Sequence, residues 1–150
     1  MEEKDRLDSI TRRIIGAAIE VHRRLGPGLL ESACQTCLAF ELRHIGLKVE
    51  EQEALPVVYR DVQLDCGYRL DLVVVDSVAI EIKAVEQLAP IHDAQVLSYL
   101  RLSGQRVGLL INFLVCVLKN GLKRIVNEFP DASRLGTPTV STELKANKDG

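Results

Sequence analysis

The sequence contains no tryptophan, and aromatic residues occupy only 4% of its 150 positions. Because 47% of the residues are nonetheless hydrophobic, the core must be built mainly from Leu, Ile and Val. A chain of this length fits one domain. We predict a single domain over residues 1–129 and a flexible tail over residues 130–150, where Pro, Ser, Thr, Lys, Asp and Gly replace the apolar pattern.

Positive charge and long apolar runs are also lacking. The formal net charge is -2, which excludes the global positive field of many nucleic-acid-binding proteins, so any such contact requires a local basic patch. No apolar run reaches transmembrane length, and the first ten residues are acidic and polar. These features predict a cytoplasmic protein with no membrane partner.

Cysteine is present at four positions, but not in a convincing metal-binding pattern. Cys34 and Cys37 have C-x-x-C spacing inside a helical pattern, with no second such pair and no neighbouring pair of histidines. Cys66 and Cys116 stand alone among apolar residues. We therefore predict buried, reduced thiols that bind no metal. A zinc, iron–sulfur or redox protein is the competing interpretation.

Helical periodicity predicts three helices. Apolar residues recur at helical spacing over residues 7–25, with Asp8 or Ser9 as the expected cap, and over residues 29–45. A third helix is expected between Pro90 and Gly104.

Period-two patterns predict strands between these helices. Short strands are expected over residues 47–52 and 54–60, with a turn at Arg60 and Asp61. Longer strands are expected over residues 64–75, 78–85 and 106–113, and a hairpin is expected around Asn120-Gly121. The element order predicts an α/β (α+β) domain with a mixed central β-sheet flanked by helices.

Three charged residues interrupt the apolar run "YRLDLVVVDSVAIEIKAV", namely Asp71, Glu81 and Lys83. An unpaired charge buried in a sheet costs several kcal/mol, roughly. If residues 76–78 connect the two strands, Asp71 lies opposite Lys83 and all three charges share one face. The competing interpretation is an Asp71–Lys83 ion pair without chemistry, and a two-residue turn would place Asp71 and Glu81 on opposite faces.

Two carboxylates and a lysine on one face form a set suited to phosphodiester chemistry. Carboxylates are preferred ligands of Mg²⁺, which keeps waters for reaction. A bound metal lowers the pKa of its water and stabilises charge on a phosphodiester in the transition state.

Asp71 followed by Glu81-Ile82-Lys83 resembles the signature of the PD-(D/E)XK nuclease superfamily. Gln95 and Tyr99, at i and i+4 on the third predicted helix, resemble the Q-x-x-x-Y motif of RecB-type members. Segments such as "GPGLLESAC", "EIKAVEQLAPIHDAQVLSYL" and "GLLINF" resemble the bacterial GxxExxY family over most of residues 10–127. Cys34 stands where the tyrosine of that motif is expected.

The resemblance implies a restriction-endonuclease-like core and a nuclease that uses Mg²⁺ or Mn²⁺ on nucleic acid, with DNA favoured. It implies Asp71 and Glu81 as metal ligands and Glu31 as a third ligand or as the residue that holds a metal-bound water, with all three in reach of one ion. Lys83 would serve the nucleophile, and Gln95 and Tyr99 would line the site.

Simpler interpretations remain open for several of these residues. Glu31 fits equally a helix N-terminal acid favoured by the helix dipole, and Gln95 and Tyr99 fit a polar helix face beside the core. The alternative function is a catalytically silent binding or accessory module that keeps the nuclease fold. A homodimer is also left open.

Overall fold

The computed structural model describes residues 2–129 and the backbone of Thr139–Val140. The helices are α1 (Glu3–Leu25), α2 (Glu31–His44) and α3 (Pro90–Ser103). The strands are β1 (Val49–Ala54), β2 (Val57–Tyr59), β3 (Val62–Leu64), β4 (Arg69–Val74), β5 (Val78–Lys83), β6 (Val107–Asn112), β7 (Leu122–Val126) and β8 (Thr139–Val140). The main sheet has the order β1-β4-β5-β6-β7-β8, and β2 and β3 form a separate hairpin. Among the described strands of the main sheet, only β5 and β6 pair in parallel, so the predicted mixed α/β sheet is confirmed.

Helices cover both faces of the main sheet. On one face, Leu72, Ile80 and Leu109 belong to a core shared with α1 and α2. On the other face, Val73, Ala79 and Leu110 pack in a second cluster with residues of α3. The helix α3 lies close to β6, because a Cβ added at Gly108 would come within 2.9 Å of Val96 Cγ1. Both faces of the sheet are therefore apolar, and a charged side chain on either face is unusual and needs a partner.

All three predicted helices are present, but the ends of α1 and α2 differ from the predicted positions. Helix α1 begins at Glu3 rather than near Asp8, because Asp8 is used elsewhere: its carboxylate accepts from Lys4 and from Arg124. Helix α3 begins at Pro90 and is followed by Gly104 with φ 78°, as predicted.

Two strand predictions are wrong. The expected strand over residues 64–75 is split into β3 and β4 by a loop in which Gly67 has φ 79° and donates its N–H to Asp65 Oδ1. The expected hairpin at Asn120-Gly121 is a 3-10 turn, Leu118–Gly121, before β7. A side chain at Gly121 would clash with the carbonyl oxygen of Asn112, so this glycine permits close packing against the end of β6. The predicted turn at residues 60–61 is confirmed, since it joins β2 to β3.

The four cysteines are free thiols. Cys34 is buried, as predicted, but Cys66 and Cys116 are exposed. Their prediction as buried residues is wrong because both lie in connections between strands and not in the strands themselves.

The predicted tail falls mostly outside the described residues. Thr139–Val140 pairs antiparallel with the end of β7, whereas residues 130–138 and 141–150 are not described. The flexible tail and the domain boundary at residue 129 therefore stay predictions. Among the helices described, none combines the length and the apolar character needed to cross a membrane.

Candidate active site

Asp71 on β4 and Glu81 on β5 lie side by side on adjacent strands. The ladder pairs Leu72 with Ile80 and Val73 with Ala79, and continuing it by one position brings Asp71 opposite Glu81. Asp71 lies two residues from Val73 and Glu81 lies two residues from Ala79, both members of the cluster under α3, so the two carboxylates share the face that α3 covers. Two carboxylates thus meet at the edge of an apolar surface.

The predicted register of this pair of strands is wrong by two positions. Residues 75–77 form the connection instead of residues 76–78, and both Val75 and Asp76 have φ 53°. Asp71 therefore opposes Glu81 rather than Lys83. Among the ion pairs of the described residues, none joins Asp71 to Lys83, so the interpretation as a simple ion pair is wrong as well.

Backbone and side-chain donors hold the two carboxylates in place. Asp71 Oδ2 accepts the N–H of Ile82 at 2.8 Å, and Asp71 Oδ1 accepts the side-chain amide of Gln52 at 3.0 Å. Glu81 Oε1 receives the N–H of Asp71 at 3.4 Å. The Asp71 carboxylate thus has one donor on each oxygen, which fixes its orientation next to Glu81.

Burial and repulsion make Glu81 hard to ionise. Its side chain is only 8% exposed. Burial raises the pKa of Glu81 to about 8, and the negative charge of Asp71 adds to the effect; the N–H of Asp71 and the ammonium of Lys83 act against it. Without a bound cation, burial and the neighbouring carboxylate therefore favour the protonated form of Glu81 at neutral pH.

Lys83 follows at the end of β5. It lies two residues beyond Glu81, so it points toward the same face, and it is half-buried. Its backbone carbonyl accepts the N–H of Phe113, which anchors the end of the strand to the chain after β6. Its ammonium is close enough to favour the ionised form of Glu81.

Gln95 and Tyr99 approach this face from α3. The Gln95 amide donates to the Tyr99 hydroxyl oxygen at 3.1 Å, as expected for side chains one helical turn apart. Burial raises the pKa of Tyr99, and the nearby Glu81 carboxylate contributes to the same direction. The Tyr99 ring also contacts the Tyr68 ring, with centroids 5.7 Å apart. Tyr99 is therefore a neighbour of Glu81 on the covered side of the site.

Glu31 lies apart from the other two carboxylates. It is the exposed first residue of α2, and its Oε2 accepts the N–H of Ala84 at 3.1 Å. Within residues 2–129, no three His, Cys, Asp or Glu side chains form a group able to hold a metal ion. The expected single cluster of three carboxylates is therefore not formed. The physical reason is that α2 packs on the face opposite to α3, and the Glu31 carboxylate contacts the N–H of Ala84, just after β5.

The arrangement of Asp71 and Glu81 still fits a divalent cation. Both offer hard oxygen ligands, and the proton held by Glu81 marks a place where positive charge offsets two close carboxylates. Two carboxylates with waters in the remaining positions is a common way to bind Mg²⁺. An open groove of about 520 Å³ runs beside Glu31 and Ala84, next to the end of β5.

A family model described as the PD-(D/E)XK nuclease superfamily matches residues 8–125, a span that contains every residue of this site. The chain belongs to the PD-(D/E)XK nuclease superfamily. Comparison with curated proteins and comparison with solved structures each gave no match. PD-(D/E)XK nucleases generally use divalent metal ions, and their substrates are nucleic acids. Membership of the narrower GxxExxY family stays a prediction.

One member of this PD-(D/E)XK site was missed by the sequence analysis. Gln52 contacts Asp71 directly, yet it lies in the polar run "EEQE", where nothing distinguishes it from a solvent-exposed strand residue. The only available signal was positional: a residue on the strand next to Asp71 has to face it, but the pairing of β1 with β4 was not predicted.

Proposed function

We propose that this PD-(D/E)XK protein is a metal-dependent nuclease that hydrolyses phosphodiester bonds, with DNA as the expected substrate. The observation that carries the proposal is the contact between Asp71 and Glu81 at the end of an apolar sheet, with Lys83 on the same face. Such a pair is costly in the absence of a cation, because burial and mutual repulsion both oppose ionisation of Glu81.

Asp71 and Glu81 are the proposed metal ligands, for Mg²⁺ or Mn²⁺. When bound, the ion would supply a water of lowered pKa and would stabilise negative charge on the phosphodiester. Two hydrogen-bond donors, one on each oxygen, fix the orientation of the Asp71 carboxylate. Glu81 would release its proton to solvent on becoming a ligand, because metal ligands bind in their deprotonated form.

The remaining side chains have proposed roles around this centre. Lys83 neutralises a phosphoryl oxygen and orients the attacking water, since an ammonium supplies three donors and no acceptor. Gln95 and Tyr99 position substrate or the lysine from the α3 side. Glu31 borders the open groove beside Ala84, where it would contact the substrate strand or a metal-bound water rather than the ion itself.

The test is a cleavage assay on single- and double-stranded DNA and RNA with Mg²⁺ or Mn²⁺. We expect metal-dependent cleavage by the wild-type protein and loss of cleavage in Asp71→Asn, Glu81→Gln and Lys83→Ala. Asp61→Asn is the matched control, because Asp61 lies on the exposed β2–β3 turn, where its φ of 67° suits asparagine. Cleavage retained by both Asp71→Asn and Glu81→Gln would falsify the proposed site.

The alternative is the catalytically silent module. It predicts that the wild-type protein binds a divalent cation and nucleic acid but leaves every substrate intact. Cytoplasmic localisation and a homodimer also stay predictions, and a fractionation experiment and sedimentation of the purified protein address them.

A further inference from the structure

The edge strand β1 has an irregular backbone at one position. Its ladder with β4 pairs Glu51 with Leu72 and Glu53 with Leu70, while the position between them, Gln52 opposite Asp71, is missing from the ladder. Gln52 has φ 50°, in the left-handed region that residues with a side chain rarely adopt. The register is the same on both sides, so the irregularity inserts no residue and changes only the orientation of Gln52.

That orientation brings the Gln52 amide onto Asp71. Its Nε2 donates to Asp71 Oδ1 at 3.0 Å and to Gln35 Oε1 at 2.6 Å. Both partners are acceptors, which identifies this atom as the amide nitrogen and uses both of its hydrogens. Backbone strain of this kind persists only where the surroundings hold it, and it is concentrated at functional sites.

A chain of contacts supports Gln52 from α2. Gln35 donates in turn to Glu51 Oε1 at 3.2 Å, and Arg43 donates to Glu51 Oε2 at 2.9 Å. Arg43 also donates to the carbonyl of Val49 at 2.8 Å. These hydrogen bonds connect α2, on one face of the sheet, to the Asp71 carboxylate on the other face. They pass around the outer edge of β1.

We infer that Gln52 is a positioning residue that fixes the Asp71 carboxylate for metal binding, an inference that rests on the proposed function. Gln52 holds one oxygen of Asp71 while the N–H of Ile82 holds the other. The plane of the carboxylate is thereby set, and each oxygen keeps a lone pair for a cation. Groups that orient metal ligands in this way contribute roughly 10- to 100-fold to metal affinity or activity.

Two substitutions separate positioning from a structural role. Gln52→Met keeps the length of the side chain but removes the donor. Gln52→Gly removes the donor and relieves the strained φ. If Gln52 served only the edge strand, Gly would suit its backbone and would leave metal affinity unchanged. If it positions Asp71, both variants bind metal weakly, and Gln52→Gly is as stable as the wild type or more stable.

The experiment combines calorimetric titration with Mn²⁺, cleavage kinetics and thermal unfolding on the full chain. We expect both variants to bind Mn²⁺ about 10- to 100-fold more weakly, with kcat reduced and KM unchanged at saturating metal. Gln52→Asn, which retains an amide and tolerates positive φ, is expected to recover part of the affinity. Gln63→Met, on the exposed β3 strand, is the matched control and should behave as the wild type.

The outcomes distinguish this inference from the proposed function. A wild-type protein that binds Mn²⁺, with Gln52→Met or Gln52→Gly binding equally well, overturns the positioning role and leaves the proposed function standing. A wild-type protein that neither binds Mn²⁺ nor cleaves nucleic acid overturns both. Weak Mn²⁺ binding by both variants with an unchanged or raised thermal midpoint supports the positioning role.

Discussion

Replacing Glu81 by glutamine should make the metal-free protein more stable at alkaline pH while abolishing its proposed activity. The folded-state pKa of Glu81 is about 8, against an ordinary value of 4.5. The folded protein therefore binds a proton that the unfolded chain has already lost between those two values. Stability falls as pH rises through this window, since the unfolded state then binds fewer protons than the folded state.

The size of the effect follows from the shift. Each pH unit inside the window costs about 1.4 kcal/mol, so the whole window corresponds to at most about 5 kcal/mol. That is a large fraction of the 5–15 kcal/mol, roughly, by which a typical domain is stable. Glutamine resembles the protonated form of Glu81 and can donate to Asp71 in its place, so Glu81→Gln should lack this loss.

The assay is urea unfolding of both proteins at pH 5, 6, 7 and 8 with a chelator present. Their free energies of unfolding should be similar near pH 5, and the variant should become more stable by several kcal/mol at pH 8, roughly, with equal m-values. Asp71→Asn removes the repulsion but not the larger effect of burial, so it should narrow the pH range over which stability is lost without abolishing the loss. Parallel curves for wild type and Glu81→Gln across this range would refute the reasoning.

Three further predictions concern other parts of the molecule. Lys83→Ala should lose cleavage but change the free energy of unfolding by less than about 1 kcal/mol, because Lys83 forms no ion pair with Asp71; a loss of several kcal/mol in chemical unfolding would contradict this. Removing residues 130–150 should shift the thermal midpoint by less than about 4 °C, and a larger drop in calorimetry would show that β8 or its flanks stabilise the domain. Cys66 and Cys116 should react rapidly with a thiol reagent in the folded protein while Cys34 stays protected, and mass spectrometry showing early modification of Cys34 would oppose the described packing.

The sequence was sufficient to predict the sheet and the shared face of its charged residues, but not their register. Side chains alternate with a period of two, so a slip of two positions leaves every residue on its predicted face. The predicted register and the observed one therefore both place Asp71 and Glu81 on one face, whereas the two-residue turn that the sequence left open would have separated them. Which residue opposes Asp71 depends on the connection, and Val75 with φ 53° is a conformation that no pattern predicts for a β-branched residue.

The position of Glu31 could not be predicted for a different reason. Helical spacing puts Glu31 on the same side of α2 as Cys34, three residues later, and Cys34 is buried in the core. Glu31 is nevertheless the first residue of α2 and extends past the edge of that core. Helical periodicity shows which residues lie on one side of a helix. It does not show which part of the helix length packs against the sheet. The contact of Glu31 with Ala84 depends on how α2 is placed over the sheet, which is a tertiary property.

Two energetically costly features of this fold lie next to each other at the Asp71–Glu81 pair. Glu81 is held where its charge is disfavoured, and Gln52, directly across β4 from it, adopts a strained φ to contact Asp71. Either feature alone would be explained as a local irregularity of the fold without a function. Together they lie in one line over three adjacent strands, Gln52 on β1, Asp71 on β4 and Glu81 on β5, and both act on the same carboxylate pair. A sheet otherwise filled with Val, Leu and Ile gains no stability from this line. Retaining it makes physical sense if a bound cation turns the repulsion into attraction, and the pH dependence of Glu81→Gln and the metal affinity of Gln52→Gly measure the two costs separately.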